Sequence, residues 1–462
     1  MASQKTSLWG CIRRSRGWLG PGGLPGLQNR WRVALRAAVG STPIHSRLYI
    51  NNTMSIPYTQ SLPYTSPIDP YSLQVKRVLS IEEITWGDEK QYFLVRYRGR
   101  LIEDAAAAYE KLSTALHSMD VIPLFREEAG KHTIALMKGS LRTRPSNPWI
   151  NLVLFILTLL SMLFAGILAQ YNGPLTTDLS LVLPYLLPTL GQALAFTASL
   201  LAILMAHEFG HYLAARYHRT AVTLPYFIPF PLSPFGTMGA FIQLKEPPRN
   251  KRILLDIGIA GPMAGLVVAL PVLMLGLYLS KIDQLPGFLH SGQSFSLEGN
   301  SILYLFVKFL VFGQWLPHPL SFGDLNPFIY WIRYFFTGQP IPFGGQDVLL
   351  HPVAWAGWAG LLITALNLIP AGQLDGGHVL FVLLGKKART ILPFVLVLMI
   401  ALGTVWSGWW LWAFLIFVFG RVYAEPLDQI TTLDTRRKAL AILGLLIFVL
   451  VFTPIPLSMF SG

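Results

Sequence analysis

"LMAHEFGHYLAA", residues 204–215, decides how this chain folds and what it can hold. His207 and His211 stand four residues apart, so on a helix both imidazoles leave the same face and can reach one ion. Glu208 points about a quarter-turn away, where it need not ligate and can instead hold a water bound to that ion. The residues around these three are oily enough to sit in lipid. Two histidines and a glutamate within an apolar span are costly there and mark function. The alternative is a buried, mutually hydrogen-bonded polar cluster that packs two helices together.

Composition supports the lipid setting. The chain has 462 residues, 53% hydrophobic and only 13% charged, and its mean hydropathy is +0.49. Soluble domains carry about 25% charged residues, so a polytopic α-helical membrane protein is predicted. The formal net charge of +13 does not imply a nucleic-acid partner. Membrane proteins gather Lys and Arg in cytoplasmic loops, and no nucleic-acid-binding motif is present. The single cysteine, Cys11, excludes an intramolecular disulfide and a cysteine-based metal cage.

The chain divides into three regions. Residues 1–53 are basic from Lys5 to Arg47, with no acidic residue. They read either as an organelle transit peptide or as a disordered, non-native extension with Met54 as the start. Their glycine and proline content, without a clear amphipathic helix, favours the extension. Residues 70–144 read as a small soluble α+β domain on the cytoplasmic side. "KQYFLVRYRGRL" (90–101) is a strand, and "EDAAAAYEKLSTALHSM" (103–119) is a helix with Tyr109, Leu112 and Leu116 on one face. "VIPLFREEAGKHTIALMKG" (121–139) reads as two strands around a charged turn, with Arg126, Glu127 and Glu128 solvated in it. Strand–helix–strand–strand in so short a length suggests a ferredoxin-like module.

Residues 148–456 form the membrane region. About seven spans are predicted, at 150–170, 191–216, 253–280, 353–371, 391–405, 408–420 and 438–456. The apolar stretches 179–190 and 301–316 are interrupted by Pro184, Pro188 and Lys308, and read as re-entrant, interfacial or additional spans. Basic clusters at Arg142/Arg144, Arg216/Arg219, Lys245–Arg252, Lys386–Arg389 and Arg436–Lys438 all fall on one face when the spans alternate. That face is cytoplasmic, or stromal in a plastid. The loop 281–350, poor in Lys and Arg, falls on the other.

A catalytic zinc site usually has three protein ligands and leaves one position for water. His218 is the next histidine, but it sits between Arg216 and Arg219 at the membrane edge and reads as exposed. The better candidate is Asp375 in "ALNLIPAGQLDGGHVLF" (365–381), where Pro370, Gly372, Gly376 and Gly377 break the helix. Broken backbone at membrane depth belongs where protein or a polar cavity surrounds it. The second and fourth spans both run toward the cytoplasm, so the histidines and Asp375 arrive at similar depth. A plain helix-ending turn is the alternative. His378 is a ligand by chemistry, but its side chain should point away from a site formed at Asp375.

"HEFGH" in one span with "NLIPAGQLDGG" (367–377) in a later one resembles the site-2 protease family of intramembrane zinc metalloproteases, over most of residues 148–456. "AGWAGLLITALNLIPAGQLDGGH" and "GIAGPMAGL" resemble especially its cyanobacterial and plastid branch. The resemblance implies one Zn2+ per chain on His207, His211 and Asp375, with Glu208 as general base. It implies for Asn367 a part in orienting substrate or polarising its carbonyl. It further implies single-span transmembrane substrates, trimmed first by an upstream protease. No PDZ or CBS domain is evident, and the α+β module takes that place. "LPYFIPFPLSPFGTMGAFIQL" (224–244) is too proline-rich for a straight helix. It reads as an interfacial loop or, as the resemblance implies, as an embedded hairpin that pairs with an unwound substrate. A zinc-binding scaffold or metal carrier is the competing function. The expected location is a bacterial plasma membrane, with a plastid membrane as the alternative.

Overall fold

The computed structural model describes residues 69–87, 93–139, 145–174, 176–287 and 294–461. The basic extension 1–53, Met54, and the cluster at Arg142 and Arg144 lie outside them.

The first unit begins with a short helix, α1 (Ser72–Val75). Strands β1 (Leu79–Trp86), β2 (Val95–Leu101), β3 (Val121–Glu128) and β4 (Lys131–Lys138) form an antiparallel sheet in the order β1-β2-β4-β3. Helix α2 (Ala105–Leu116) lies between the two hairpins in sequence, its start capped by Asp104. Tyr109, Leu112 and Leu116 on its inner face pack with Phe125 and Ile134. The sequence reading missed β1 because Glu82 and Glu83 interrupt its apolar pattern. Glu83 instead pairs across the strand with Arg98 of β2, and Glu82 forms an ion pair with Lys131 of β4. The extra strand makes a ββαββ order rather than the expected strand–helix–strand–strand. The reading of Arg126, Glu127 and Glu128 as a solvated turn is also corrected. They belong to β3, and the turn is Ala129–Gly130, both at positive φ.

Among the described residues three helices are long and apolar enough to cross a membrane: α3 (Pro148–Gln170), α4 (Leu179–Tyr217) and α5 (Lys251–Tyr278). Each starts on an Asn or Asp cap, at Asn147, Asp178 and Asn250. Helix α4 runs unbroken for 39 residues through Pro184 and Pro188, a rise of about 58 Å. Residues 179–190 are therefore part of the second span's helix, not a separate re-entrant piece.

Among the described residues the remaining helices do not complete a set of seven full-length spans. Between β7 (Lys281–Gln284) and β9 (Gln346–Leu349), which pair, lie β8 (Ser294–Glu298), α6 (Ile302–Phe312) and α7 (Pro327–Thr337). Helix α6 is too short to span and buries Lys308 beside Glu298 and Asp347. Then come α8 (Pro352–Asn367), α9 (Asp375–Leu384), α10 (Leu392–Gly403), α11 (Gly408–Phe419), α12 (Thr435–Val451) and β10 (Leu457–Ser461), which pairs with β8. Helices α10 and α11 have 12 residues each, about 18 Å against a hydrocarbon core of about 30 Å. Trp406 in their connecting turn and Trp409 at the start of α11 nonetheless reach the segment beyond α12, donating to the carbonyls of Leu457 and Pro454.

Helices α4, α5 and α8 form the centre of the membrane region, with Leu200, Leu204, Leu273, Trp358 and Leu361 in its apolar core. They approach closely because small residues face one another. A Cβ on Gly276 would sit 2.1 Å from the Ala354 nitrogen, and one on Gly357 2.6 Å from the Leu273 Cα.

Candidate metal centre

Helix α4 brings its polar residues to the protein's interior. His207, Glu208 and His211 are 3%, 2% and 0% exposed. Asp375, fully buried, opens α9 and follows the turn that ends α8. That turn is tight enough to need its glycines: a Cβ on Gly376 would meet the Leu368 carbonyl oxygen at 1.9 Å, and one on Gly377 the Gly372 oxygen at 2.4 Å. The helix start is thereby folded back under α8, and its first carboxylate points at the histidines.

The Asp375 Oδ2 lies 3.3 Å from the Nε2 atoms of both His207 and His211. Those two nitrogens are 3.3 Å apart. All three donor atoms lie within 4.8 Å of one another, and among the described residues no other such His, Cys, Asp or Glu group forms. Two imidazoles and a carboxylate suit Zn2+, whose ordinary ligands are nitrogen and oxygen donors at this count. The His211 ring is fixed from behind: its Nδ1 is 2.7 Å from the Ile257 carbonyl oxygen. Donation there leaves Nε2 with a lone pair for an ion. Glu208 shares the cavity without joining the trio. Its Oε2 is buried with no hydrogen-bond partner, while the Ile242 backbone amide bonds the same carboxylate. The Asn367 amide, at the end of α8, is 3.3 Å from His207 Nε2.

Of the residues singled out in the sequence, His207, His211, Asp375, Glu208 and Asn367 thus converge. His378 stands outside the donor group, buried against Gly258. His218 is not the exposed residue expected at the membrane edge. Its Nε2 is 2.9 Å from Asp256 Oδ2, a carboxylate also held by Arg437.

Sequence reasoning missed the groups that make room. A Cβ on Gly261 of α5 would lie 2.1 Å from His211 Nε2, and one on Gly265 3.1 Å from His207 Nδ1. The signal was present as small residues at helical spacing in "GIAGPMAGL". Residues 224–244 include a hairpin, β5 (Tyr226–Pro229) with β6 (Thr237–Phe241). It lies along α3, where Asn151 donates to the carbonyls of Leu224 and Pro225 and Ser161 to that of Gly236. Beyond β6, Ile242 reaches Glu208.

Comparison with known proteins places this geometry. The family model described as "Peptidase family M50" matches residues 195–404. "Probable zinc metalloprotease EGY1, chloroplastic" of Arabidopsis thaliana is 30% identical over 337 residues, 69% of this chain and 56% of that protein. The protein of the same name from Oryza sativa subsp. japonica is 30% identical over 341 residues, 69% of this chain and 53% of its own length. "Probable zinc metalloprotease EGY2, chloroplastic" of Arabidopsis thaliana is 30% identical over 262 residues, 56% and 41% respectively. The chain spans about half the length of these first two relatives. No solved structure gives a significant match.

Proposed function

We propose, from the match of residues 195–404 to the model of peptidase family M50, that this chain is a zinc-dependent endopeptidase cutting single-span membrane proteins within the bilayer. The observation that carries the reading is the meeting of His207, His211 and Asp375 beside an unpartnered Glu208 carboxylate oxygen. His207, His211 and Asp375 would hold the ion, which when bound supplies Lewis acidity toward water and the scissile carbonyl. Glu208 takes a proton from the attacking water and delivers it to the leaving amine nitrogen. Its bond to the Ile242 amide keeps the carboxylate turned toward that water. Asn367 presents an N–H donor at the same point and orients the substrate carbonyl. The outer edge of β6 offers backbone pairing to a substrate strand unwound from its helix.

The chain is an integral membrane protein. We place the unit at 69–139 and the basic clusters on the cytoplasmic or stromal side, and the 281–350 region on the other. The word "chloroplastic" in the relatives' names supports a plastid-type membrane over the bacterial plasma membrane favoured from the sequence. An upstream protease that first trims the substrate fits a site enclosed this deeply. A zinc-binding scaffold or metal carrier is not favoured: among the described residues there is no second donor trio to pass an ion onward.

The test is zinc analysis of the purified chain with cleavage of a model single-span substrate. The wild type should hold one zinc and cleave; Glu208→Gln should keep the zinc and lose cleavage. Equal cleavage by the two proteins would remove Glu208 from its role.

A further inference from the structure

A cavity of about 840 Å³ lies between the end of α3, the tip of the β5–β6 hairpin and the β7–β9 and β8–β10 strand pairs. That volume falls within the range of ligand pockets, roughly 300–1,000 Å³. Phe164, Leu168, Leu232 and Trp355 make its apolar wall, and Glu298 and Asp347 its polar one. Both carboxylates are buried, at 8% and 5% exposure.

Behind them lies one cation. The fully buried Lys308 Nζ is 3.6 Å from Asp347 Oδ1 and 4.0 Å from Glu298 Oε1, and it makes no hydrogen bond. It sits 4.6 Å from the centre of the Tyr304 ring, whose hydroxyl donates to Glu298 Oε1 at 2.9 Å. Among the described residues two carboxylates face one ammonium, so that set, fully ionised, carries a surplus negative charge on the cavity wall. Buried charge that is not balanced is costly until something completes it.

The hairpin runs from the cavity toward the metal centre. Pro231 to Pro234 form part of its lining, while Ile242, beyond the other end of β6, bonds Glu208. Extended backbone from Ile242 to Thr237 covers about 17 Å in five residue steps, and the cavity lining begins just beyond, at Pro234. A peptide lying along β6 with its scissile bond at Glu208 therefore reaches the cavity some six or seven residues away.

We propose that this cavity is an exosite for the flank of the substrate on the side away from the basic clusters. It seats an apolar side chain against Phe164, Leu168 and Trp355, and a neighbouring Lys or Arg whose cation completes the Glu298–Lys308–Asp347 set. This rests on the endopeptidase reading of the metal centre.

The experiment uses the full chain in detergent and two single-span substrates. They differ only in carrying Lys or Glu six to seven residues from the cleaved bond on that flank. The Lys substrate should be favoured by about tenfold in kcat/KM, chiefly through KM, as a complementary charge predicts. Asp347→Asn should bring the ratio near one. Leu232→Trp, at an exposed hairpin-tip position, should do the same by filling the cavity, and it decides the matter where Asp347→Asn fails to fold. Equal cleavage of the two substrates by the wild type would overturn the exosite and leave the endopeptidase standing. Cleavage of neither would overturn both.

Discussion

Gly261 contributes no atom that could bind a metal, yet the His211 ring occupies the space its side chain would fill. Gly261→Ala should displace that ring further than a metal–nitrogen bond tolerates, lowering zinc retained after purification and lowering cleavage with it; full zinc content would show that α5 can yield. The histidines were legible because the four-residue repeat of a helix puts them on one face, and Asp375 because its span runs the same way. Gly261 was not legible as part of the site, since its contribution is space. The Ile257 carbonyl and Ile242 amide were hidden for another reason: every residue carries such groups, and only the fold selects these two. Glu208→Gln keeps the shape of the side chain and removes its basicity. General-base catalysis is worth about 10²–10⁴ in rate, so kcat should fall by that order while zinc content stays.

At the scale of elements, the hairpin depends on α3. Asn151 is buried and holds two carbonyls of the chain entering β5. Asn151→Leu leaves those acceptors without it, at a cost of about 1–3 kcal/mol. Hydrogen exchange should quicken across 223–241 and KM should rise more than kcat falls; unchanged exchange would show that Ser161 and Gly236 suffice. The prolines of α4 argue for a break between 179 and 190, but the helix passes through them. Pro184 and Pro188 lie inside the helix, past the first turn, so each removes one ladder bond that the rest of the helix carries without breaking. The Thr189 hydroxyl donates to the Tyr185 carbonyl within that stretch. Hydropathy reads length and oiliness, and the stretches 391–405 and 408–420 are already short for full spans in the sequence; α10 and α11 are shorter still.

For the molecule as a whole, the N-terminal unit is bound to the membrane region by specific contacts. The Arg126 guanidinium donates to the Leu427 carbonyl at 2.7 Å, and the Phe125 amide donates to the same oxygen. Arg249, just before α5, holds Glu110 of α2 with both carboxylate oxygens at 3.0 Å. The charged triplet at 126–128 resembled a turn because its docking partner lies about 300 residues away, beyond any local pattern. Arg126→Ala should lower the thermal midpoint of the N-terminal unit, by about 1–3 kcal/mol of stability, with zinc content unchanged. On the opposite side, burial first and the Asp347 charge second push the Glu298 carboxyl up from 4.5 to about 7. A carboxyl raised in the folded state binds its proton more tightly there, so stability falls as pH rises from about 4.5 to about 7 and levels off above. Lys308, Asp347, Tyr304 and Tyr334 are the charged and titratable groups around it. Preference for a cationic flank should be weaker at pH 6 than at pH 8, measured as the ratio of kcat/KM for the two substrates.

The metal site draws its parts from distant stretches of chain: Asn367 stands 160 residues after His207, and Asp375 comes later still. During synthesis, α4 and α5 are inserted long before α9 leaves the ribosome. A half-made chain therefore holds two histidines and a glutamate with no carboxylate to close the donor set. On the proposed reading the donor set closes only once Asp375 has been made, so a chain that stops before it would lack the third ligand.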